Sequence, residues 1–281
     1  MDAPEIFDRH ARRRARDRAA RDYAAHDFLR AAMLDGIADR LASVKRDFAD
    51  VLDLGAFDGA FVAPPGARVT RVDAGEAFAA QTGGMQAEED RLPFAPGSFD
   101  LVVSAGVLDS VGDVPGALIQ FRRALRPDGL FLGAFVGGNS LATARGAFRT
   151  AEAERPAARF HPMIDVRAAG DLLVRAGFAL PVADSETLTV RYPDLLRLIG
   201  DLRGMGANNV LTGRTALTRG ALARAVEAFA AQADADGRVA ERFDLIFLTG
   251  WAPAPGQPQP ARRGSATASL SAALGQRERG E

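Results

Sequence analysis

The residues best suited to chemistry lie between Val51 and Asp73, in the stretch VLDLGAFDGAFVAPPGARVTRVD. A short apolar run ends at Gly55, and a second apolar run ends at the acid Asp73. Glycine at such a turn lets backbone amides approach a bound nucleotide, because a Cβ would collide with the ligand or demand a strained positive φ. An acid at the end of the next strand can accept hydrogen bonds from ribose hydroxyls. The pair predicts a nucleotide site, and an ordinary strand turn with a surface aspartate is the alternative.

Three further blocks follow in a specific order: EEDRLPF at 88–94, SFDLVVS at 98–104 and LRPDGLF at 125–131. With LDLG at 52–55 they resemble the motifs of the class I S-adenosylmethionine-dependent methyltransferases, in the type 11 branch, over residues 48–136. The resemblance implies S-adenosylmethionine (SAM) as the cofactor. The residues that the resemblance places at the cofactor are Asp53, Gly55, Phe57, Gly59, Asp73, Glu88 and Ser104.

Longer segments resemble one subgroup, the bacterial relatives of a mitochondrial complex I assembly factor described as an arginine hydroxylase. These segments are IFDRHARRRARDRAA (6–20), VPGALIQFRRALRPDGLFLGAFVGG (114–138), LLVRAGFALPVADSETLTVRYPDLLRLIGDLRGMGANN (172–209) and FDLIFLTGWAP (243–253). The methyltransferases that act on malonyl carrier protein in biotin synthesis are a more distant likeness. The subgroup implies the methyltransferase fold with a chemistry that can differ.

The sequence departs from the family pattern where the cofactor should bind. Phe57 stands at the central glycine of the first motif, so we expect its ring where the methionine part of SAM passes. Only nine residues, Ala60 to Arg68, separate Gly59 from the next strand, and Pro64-Pro65 interrupts them. A helix of ordinary length does not fit there, and the anion-binding helix N-terminus is weakened or lost. Whether SAM still binds is therefore left open.

The rest of the chain alternates strands with helices, which predicts a doubly wound Rossmann-like α/β sheet, mostly parallel with one antiparallel edge strand. The first 48 residues predict a helical extension, since apolar residues recur there at helical spacing. An α/β domain is expected over 49–251, with a helical insertion at 192–240. The Pro-, Ala- and Gly-rich residues 252–281 predict a disordered tail.

The substrate side is indicated by two stretches. Asp109 follows the second motif, in VLDSVGD, and the Gly-rich stretch 201–214, DLRGMGANNVLTGR, could form a lid that presents amide and guanidinium groups. We place a substrate or a protein partner at Asp109, Arg203, Asn208 and Asn209. The alternative for 201–214 is a well-capped turn between helices. No residue can be assigned a catalytic role.

Composition limits the remaining classes. The chain of 281 residues has a net charge of -1. It has no cysteine, which excludes disulfides, and its three histidines are scattered, so we predict no metal site. The basic run at 10–22 could touch RNA or acidic lipid, but with interleaved Asp and Ala we interpret it as a solvated helix face. We predict no nucleic-acid partner, no membrane span and a cytoplasmic location.

Three functions follow from these patterns. The first is SAM-dependent methyl transfer to an unidentified acceptor, which needs placement more than acid–base help. The second is a methyltransferase fold that has lost its cofactor and acts as a binding or assembly factor. The third is the hydroxylase chemistry of the subgroup, for which the sequence shows no triad of two His and a carboxylate. Phe57 favours the second function, while Asp53, Asp73 and Glu88 favour the first.

Overall fold

The computed structural model describes residues 5–257. The helices are α1 (Arg9–Ala19), α2 (Phe28–Ala42), α3 (Glu76–Gln81), α4 (Val114–Ala124), α5 (Ala142–Ala151), α6 (Val166–Arg175), α7 (Leu195–Gly204) and α8 (Arg219–Ala230). The strands are β1 (Asp50–Leu54), β2 (Arg68–Asp73), β3 (Met85–Gln86), β4 (Phe99–Ala105), β5 (Leu125–Gly137), β6 (Ala179–Tyr192) and β7 (Val239–Trp251).

All seven strands form one sheet in the order β3-β2-β1-β4-β5-β7-β6. The pairs from β3 to β5 are parallel, and β7 runs antiparallel to both β5 and β6. The predicted doubly wound, mostly parallel sheet is thereby confirmed. The reversed strand β7 lies one place in from the edge, and β6 pairs with it as the edge strand.

Helices cover both faces because side chains alternate along each strand. On β1, Val51 joins a core that includes Met33 and Ile37 of α2, whereas Leu52 joins the opposite core with Phe121 of α4. Helices α5, α7 and α8 contribute to the first core and α6 to the second. Helix α2 is therefore part of the α/β domain, although the sequence placed it in an extension.

Helix α1 is fixed at its start by the segment after α7. The side chain of Asp8 caps α1 by accepting from the amide of Ala11 at 2.9 Å, and its own amide donates to the carbonyl of Val210 at 2.7 Å. Phe7 forms an isolated antiparallel bridge with Leu211. From there α1 packs against α3 and α7, and lies beside the turn that follows β2.

The loop between β1 and β2 contains no helix, as the short spacing and the double proline predict. Residues 126–129 form a bulge inside β5: the partner register jumps from Leu125 to Leu130, and Asp128 has a φ of 61°. Past β7, Ala252 is buried and exchanges backbone hydrogen bonds with Asp128 and Gly129. The predicted tail from residue 258 onward lies outside the described residues.

Candidate cofactor cleft and adjoining cavity

The acid expected to hold the ribose, Asp73, is bound by a residue of the same chain. Arg16 of α1 donates to both carboxylate oxygens, from Nε at 2.8 Å and Nη2 at 2.5 Å. The amides of Gly75 and Phe57 donate to the same carboxylate at 2.7 and 3.0 Å. Burial alone would raise the pKa of Asp73, but the charge and hydrogen bonds of Arg16 lower the pKa below its ordinary value. Asp73 is an ionised, fully coordinated carboxylate.

The acidic loop expected at the adenine is bound in the same way. Glu88 accepts from Arg13 at 2.7 Å and from Arg12 at 3.1 Å. Arg12 also makes a two-pronged bond to Glu89, at 2.7 and 2.8 Å. The next acid in the loop, Asp90, is bound by Arg9. Four arginines of one helix thus bind four acids of the cleft.

The basic run was interpreted from sequence as a solvated face, and that interpretation was wrong for the side of the helix that carries Arg12 and Arg16. Arg12 and Arg16 are each only 4% exposed. Positions 9, 12, 13 and 16 follow the i, i+3, i+4, i+7 rule of one helix face, so these arginines point to the same side. That spacing was the available signal, but it does not reveal which carboxylates the face would meet.

The side chain of Phe57 packs beside these ion pairs. It has a φ of 48°, in the left-handed region that favours glycine, and its side chain is buried. Its ring stacks on Tyr23 with centroids 4.9 Å apart and meets Phe78 edge-on at 5.2 Å. The guanidinium carbon of Arg16 lies 3.9 Å from the ring centroid, a cation–π distance. The ring of Phe57 is therefore one member of a packed cluster with Tyr23, Phe78 and Arg16.

Asp53 lies beneath this cluster without a hydrogen bond from any described residue. Its oxygens are 3.9 Å from Arg30 Nη2 and 3.9 Å from Arg71 Nε. Burial raises the pKa of Asp53 to about 6, against the attraction of Arg30 and Arg71. Asp53 is therefore a buried acid near the end of β1 that has two arginines nearby but no hydrogen-bond donor in the described part of the chain.

The remaining motif residues have structural reasons of their own. Gly55 has a φ of 69°, and a Cβ there would lie 2.2 Å from a methyl of Val107. Gly59 also has a positive φ, of 76°. Ser104 at the end of β4 is fully buried, and its hydroxyl finds no partner among residues 5–257. Glycine at position 55 is thus required by the turn itself, with or without a nucleotide.

Next to the cleft is a cavity of about 550 Å³. Phe57 and Gly106 form part of its wall, so the cleft and the cavity share a boundary at the carboxyl edge of the sheet. All four residues predicted for the substrate side line this cavity, namely Asp109, Arg203, Asn208 and Asn209. Their roles in binding stay predictions.

Two titratable groups in the cavity wall are shifted by burial. The pKa of Asp109 is raised to about 6 by burial, although Arg12 and Arg16 lower it in part. The pKa of His161 is lowered to about 4 by burial, so this imidazole is neutral near pH 7. His161 lies on the loop between α5 and α6, and its Nε2 accepts from the amide of Val210 at 3.2 Å.

Within residues 5–257 no group of three or more His, Cys, Asp or Glu side chains could hold a metal ion. The same part of the chain contains no helix that is both long and apolar enough to cross a membrane.

Comparison with known proteins identifies the family. Residues 23–181 match the family described as a methyltransferase domain. The chain belongs to this methyltransferase family. It is 33% identical to the mitochondrial arginine-hydroxylase NDUFAF5 of Danio rerio, over 95% of this chain and 88% of that protein. It is 30% identical to the malonyl-[acyl-carrier protein] O-methyltransferase of Gallionella capsiferriformans, over 89% of this chain and 93% of that protein.

Solved structures agree with this family on the fold. A phosphoethanolamine N-methyltransferase of Haemonchus contortus, solved with S-adenosylhomocysteine, superposes with a TM-score of 0.52 at 16% identity over 86% of this chain and 60% of that one. The YcgJ protein of Bacillus subtilis gives a TM-score of 0.52 at 16% identity, over 79% of this chain and 99% of that one. This chain is thus a methyltransferase-family protein with the SAM-dependent methyltransferase fold.

Proposed function

We propose that this protein transfers a methyl group from SAM to an acceptor held in the 550 Å³ cavity, and that α1 must leave the cofactor cleft before SAM can bind. The observation that carries the proposal is the arrangement of acids along the cleft. Asp53, Asp73 and Glu88, the acids that the sequence resemblance assigns to the cofactor, are all buried along the cleft, and the cleft shares a wall with the cavity. A methyl acceptor in the cavity would thus lie next to the cofactor.

The acids of the cleft are suited to the polar groups of SAM, but α1 in its present position leaves no room for SAM to reach them. Asp73 is suited to ribose hydroxyls, Glu88 to the adenine amine and Asp53 to the methionine ammonium. In this conformation Arg16, Arg12 and the ring of Phe57 occupy the same ground. When bound, SAM would supply an electrophilic methyl group on a sulfonium. The residues of this chain would orient the acceptor and exclude water from it.

A second function is favoured by the closed cleft. If α1 never leaves, the protein is a binding or assembly factor that keeps the fold without the cofactor. The buried ion pair of Arg16 with Asp73 and the aromatic cluster at Phe57 support this alternative. The hydroxylase chemistry rests on the name of the relatives alone. A protein partner and a cytoplasmic location remain predictions, to be tested by cross-linking in cells and by fractionation.

The test is calorimetric titration of the full chain with SAM and with S-adenosylhomocysteine. Arg16→Ala removes the guanidinium from Asp73, and Arg14→Ala on the exposed side of the same helix is the matched control. We expect Arg16→Ala to bind SAM at least tenfold more tightly than the wild type and the Arg14→Ala control. Adding Asp73→Ala to Arg16→Ala should abolish the binding. No heat from a folded Arg16→Ala sample would reject the methyltransferase proposal and leave the binding factor.

A further inference from the structure

The cavity has the shape and the lining of a site for a small apolar molecule. Its wall is built mainly from Leu, Ile, Met, Val and Phe side chains of α2, α5, α7 and the 205–217 segment. Two of its leucines are exposed to solvent, Leu196 at 55% and Leu217 at 38%. Exposed apolar side chains beside an apolar cavity are typical of the entrance to a binding site for an apolar ligand.

Two residues of the wall, Asp109 and Arg30, each have a buried polar atom without a hydrogen-bond partner among the described residues. The Oδ1 atom of Asp109 is buried and accepts no hydrogen bond from any residue that the structure describes, and the Nε of Arg30 is buried and donates none. Asp109 needs a donor and Arg30 needs an acceptor. A hydroxyl group can donate to Asp109 without carrying a charge, whereas an ammonium donates as a cation and a carboxylate only accepts. The carboxyl of Asp109 can turn toward a ligand, because the terminal torsion of aspartate is broad.

The charges of the wall favour a neutral ligand over either ion. Arg159 is bonded by Glu152 at 2.8 and 2.5 Å, Arg214 is 3.2 Å from Asp8, and Arg30 is 3.2 Å from Asp58. The remaining arginine, Arg203, is exposed, where an ion pair contributes little. A carboxylate ligand would therefore gain little from these paired arginines and would meet the charge of Asp109.

A cationic ligand is disfavoured for the opposite reason. Asp109 is the only carboxyl among the residues that line the cavity in the described part of the chain. Arg12 and Arg16 already act on its charge from α1, and Arg30 lies in the same wall. Because Arg12 and Arg16 already stabilise the charge of Asp109, an ammonium there would gain less from that charge and would still lose its own hydration.

We infer that the cavity binds a molecule with an apolar body and a neutral hydroxyl, as in an alkylphenol, with Asp109 accepting the hydrogen bond of the hydroxyl. The inference deepens the proposed function, on which it rests only for the statement that this molecule is the methyl acceptor. In that reaction the hydroxyl oxygen would bond to the methyl group, the bond from the methyl to the sulfur of SAM would break, and the hydroxyl proton would pass to Asp109. Binding itself requires no cofactor. Failure of SAM binding and failure of this inference are therefore separate outcomes.

The test is calorimetric titration of the full chain with three probes that share one apolar body. 4-Hexylphenol carries the hydroxyl, 4-hexylanisole replaces its hydrogen with a methyl group, and 4-hexylbenzoate carries an anion. We expect 4-hexylphenol to bind at least tenfold more tightly than either of the other two. Equal affinity for the phenol and the anisole, tighter binding of the benzoate, or no binding of any probe to a folded sample would each overturn the inference.

Three variants locate the preference. Asp109→Ala should bring the affinity for the phenol down to that for the anisole, without weakening the anisole. The matched control Asp171→Asn, at an exposed position of α6, should keep the full preference. Leu202→Trp fills the cavity from its wall and should abolish binding of both probes. If Asp109→Ala binds the phenol with the preference intact, Asp109 is not the acceptor and the inference is wrong.

Discussion

The two halves of the carboxyl edge of the sheet are filled in opposite ways. Over β1 and β2, the cofactor cleft is packed with ion pairs between α1 and the acids at Asp73 and 88–90. Over β4, β5 and β7, the neighbouring cavity is open and mainly apolar. The difference shows that one short basic helix can occupy the polar cleft without closing the apolar cavity beside it. Predictions about the two halves can therefore be tested separately.

The largest effect is expected at the ion pair that closes the cleft. Arg16→Ala leaves the buried carboxylate of Asp73 without its cation, which should lower the free energy of unfolding by about 3–5 kcal/mol. The control Arg14→Ala should change it by less than about 0.5 kcal/mol. Urea unfolding followed by circular dichroism measures both. A loss in Arg16→Ala no larger than in the control would mean that α1 does not hold the cleft closed.

The next effect concerns the poorly satisfied acid beneath α1. The pKa of Asp53 in the folded protein, about 6, lies above the ordinary 3.8, so its ionised form costs stability above pH 6 and the cost falls as the pH drops from 6 toward 4. Asp53→Asn should therefore raise the free energy of unfolding by up to about 3 kcal/mol at pH 8, with little gain near pH 4.

Thermal melts of Asp53→Asn, of the exposed control Asp47→Asn and of the wild type across this pH range measure the effect. A gain that does not depend on pH, or one that the control shares, would contradict the assignment of the cost to the charge of Asp53.

A smaller effect separates strain from packing at Phe57. Phe57→Ala and Phe57→Gly both remove the buried ring and should both destabilise the protein. Only glycine relieves the positive φ of 48°, so Phe57→Gly should be more stable than Phe57→Ala by about 1 kcal/mol. Paired urea titrations measure the difference. If the alanine variant proved the more stable, the strain at this position would be absent.

The smallest effect on stability is expected in the cavity. Leu202→Trp adds volume to open space rather than to a packed core, so the free energy of unfolding should change by less than about 1 kcal/mol. The substitution Leu52→Trp introduces the same side chain at a fully buried position of β1 that belongs to the core with α4. It should lower the free energy of unfolding by clearly more than about 1 kcal/mol. Differential scanning calorimetry of the two variants compares them. A similar loss in both would mean that the cavity is not open space.

Much of the fold could be read from local patterns. The apolar runs that become β1, β4 and β7, and the cap of α6 at Asp165, depend on neighbours in sequence, where periodicity and capping are strong signals. The missing helix between β1 and β2 followed from chain length and two prolines. The bulge at Asp128 and the place of β7 inside the edge did not follow, because both depend on the register with other strands.

The candidate site divides along the same line. The sequence by itself indicated which acids and glycines could serve a nucleotide and that Phe57 would lie among them. It also predicted a substrate or partner side at Asp109 and the 201–214 stretch. Only the tertiary structure decided that Arg12 and Arg16 form buried ion pairs with acids of the cleft, Glu89 and Asp73. The reason is physical: a helix face of arginines is equally compatible with water and with buried carboxylates, and the choice depends on where chain folding places the helix, 57 residues away from Asp73 in sequence.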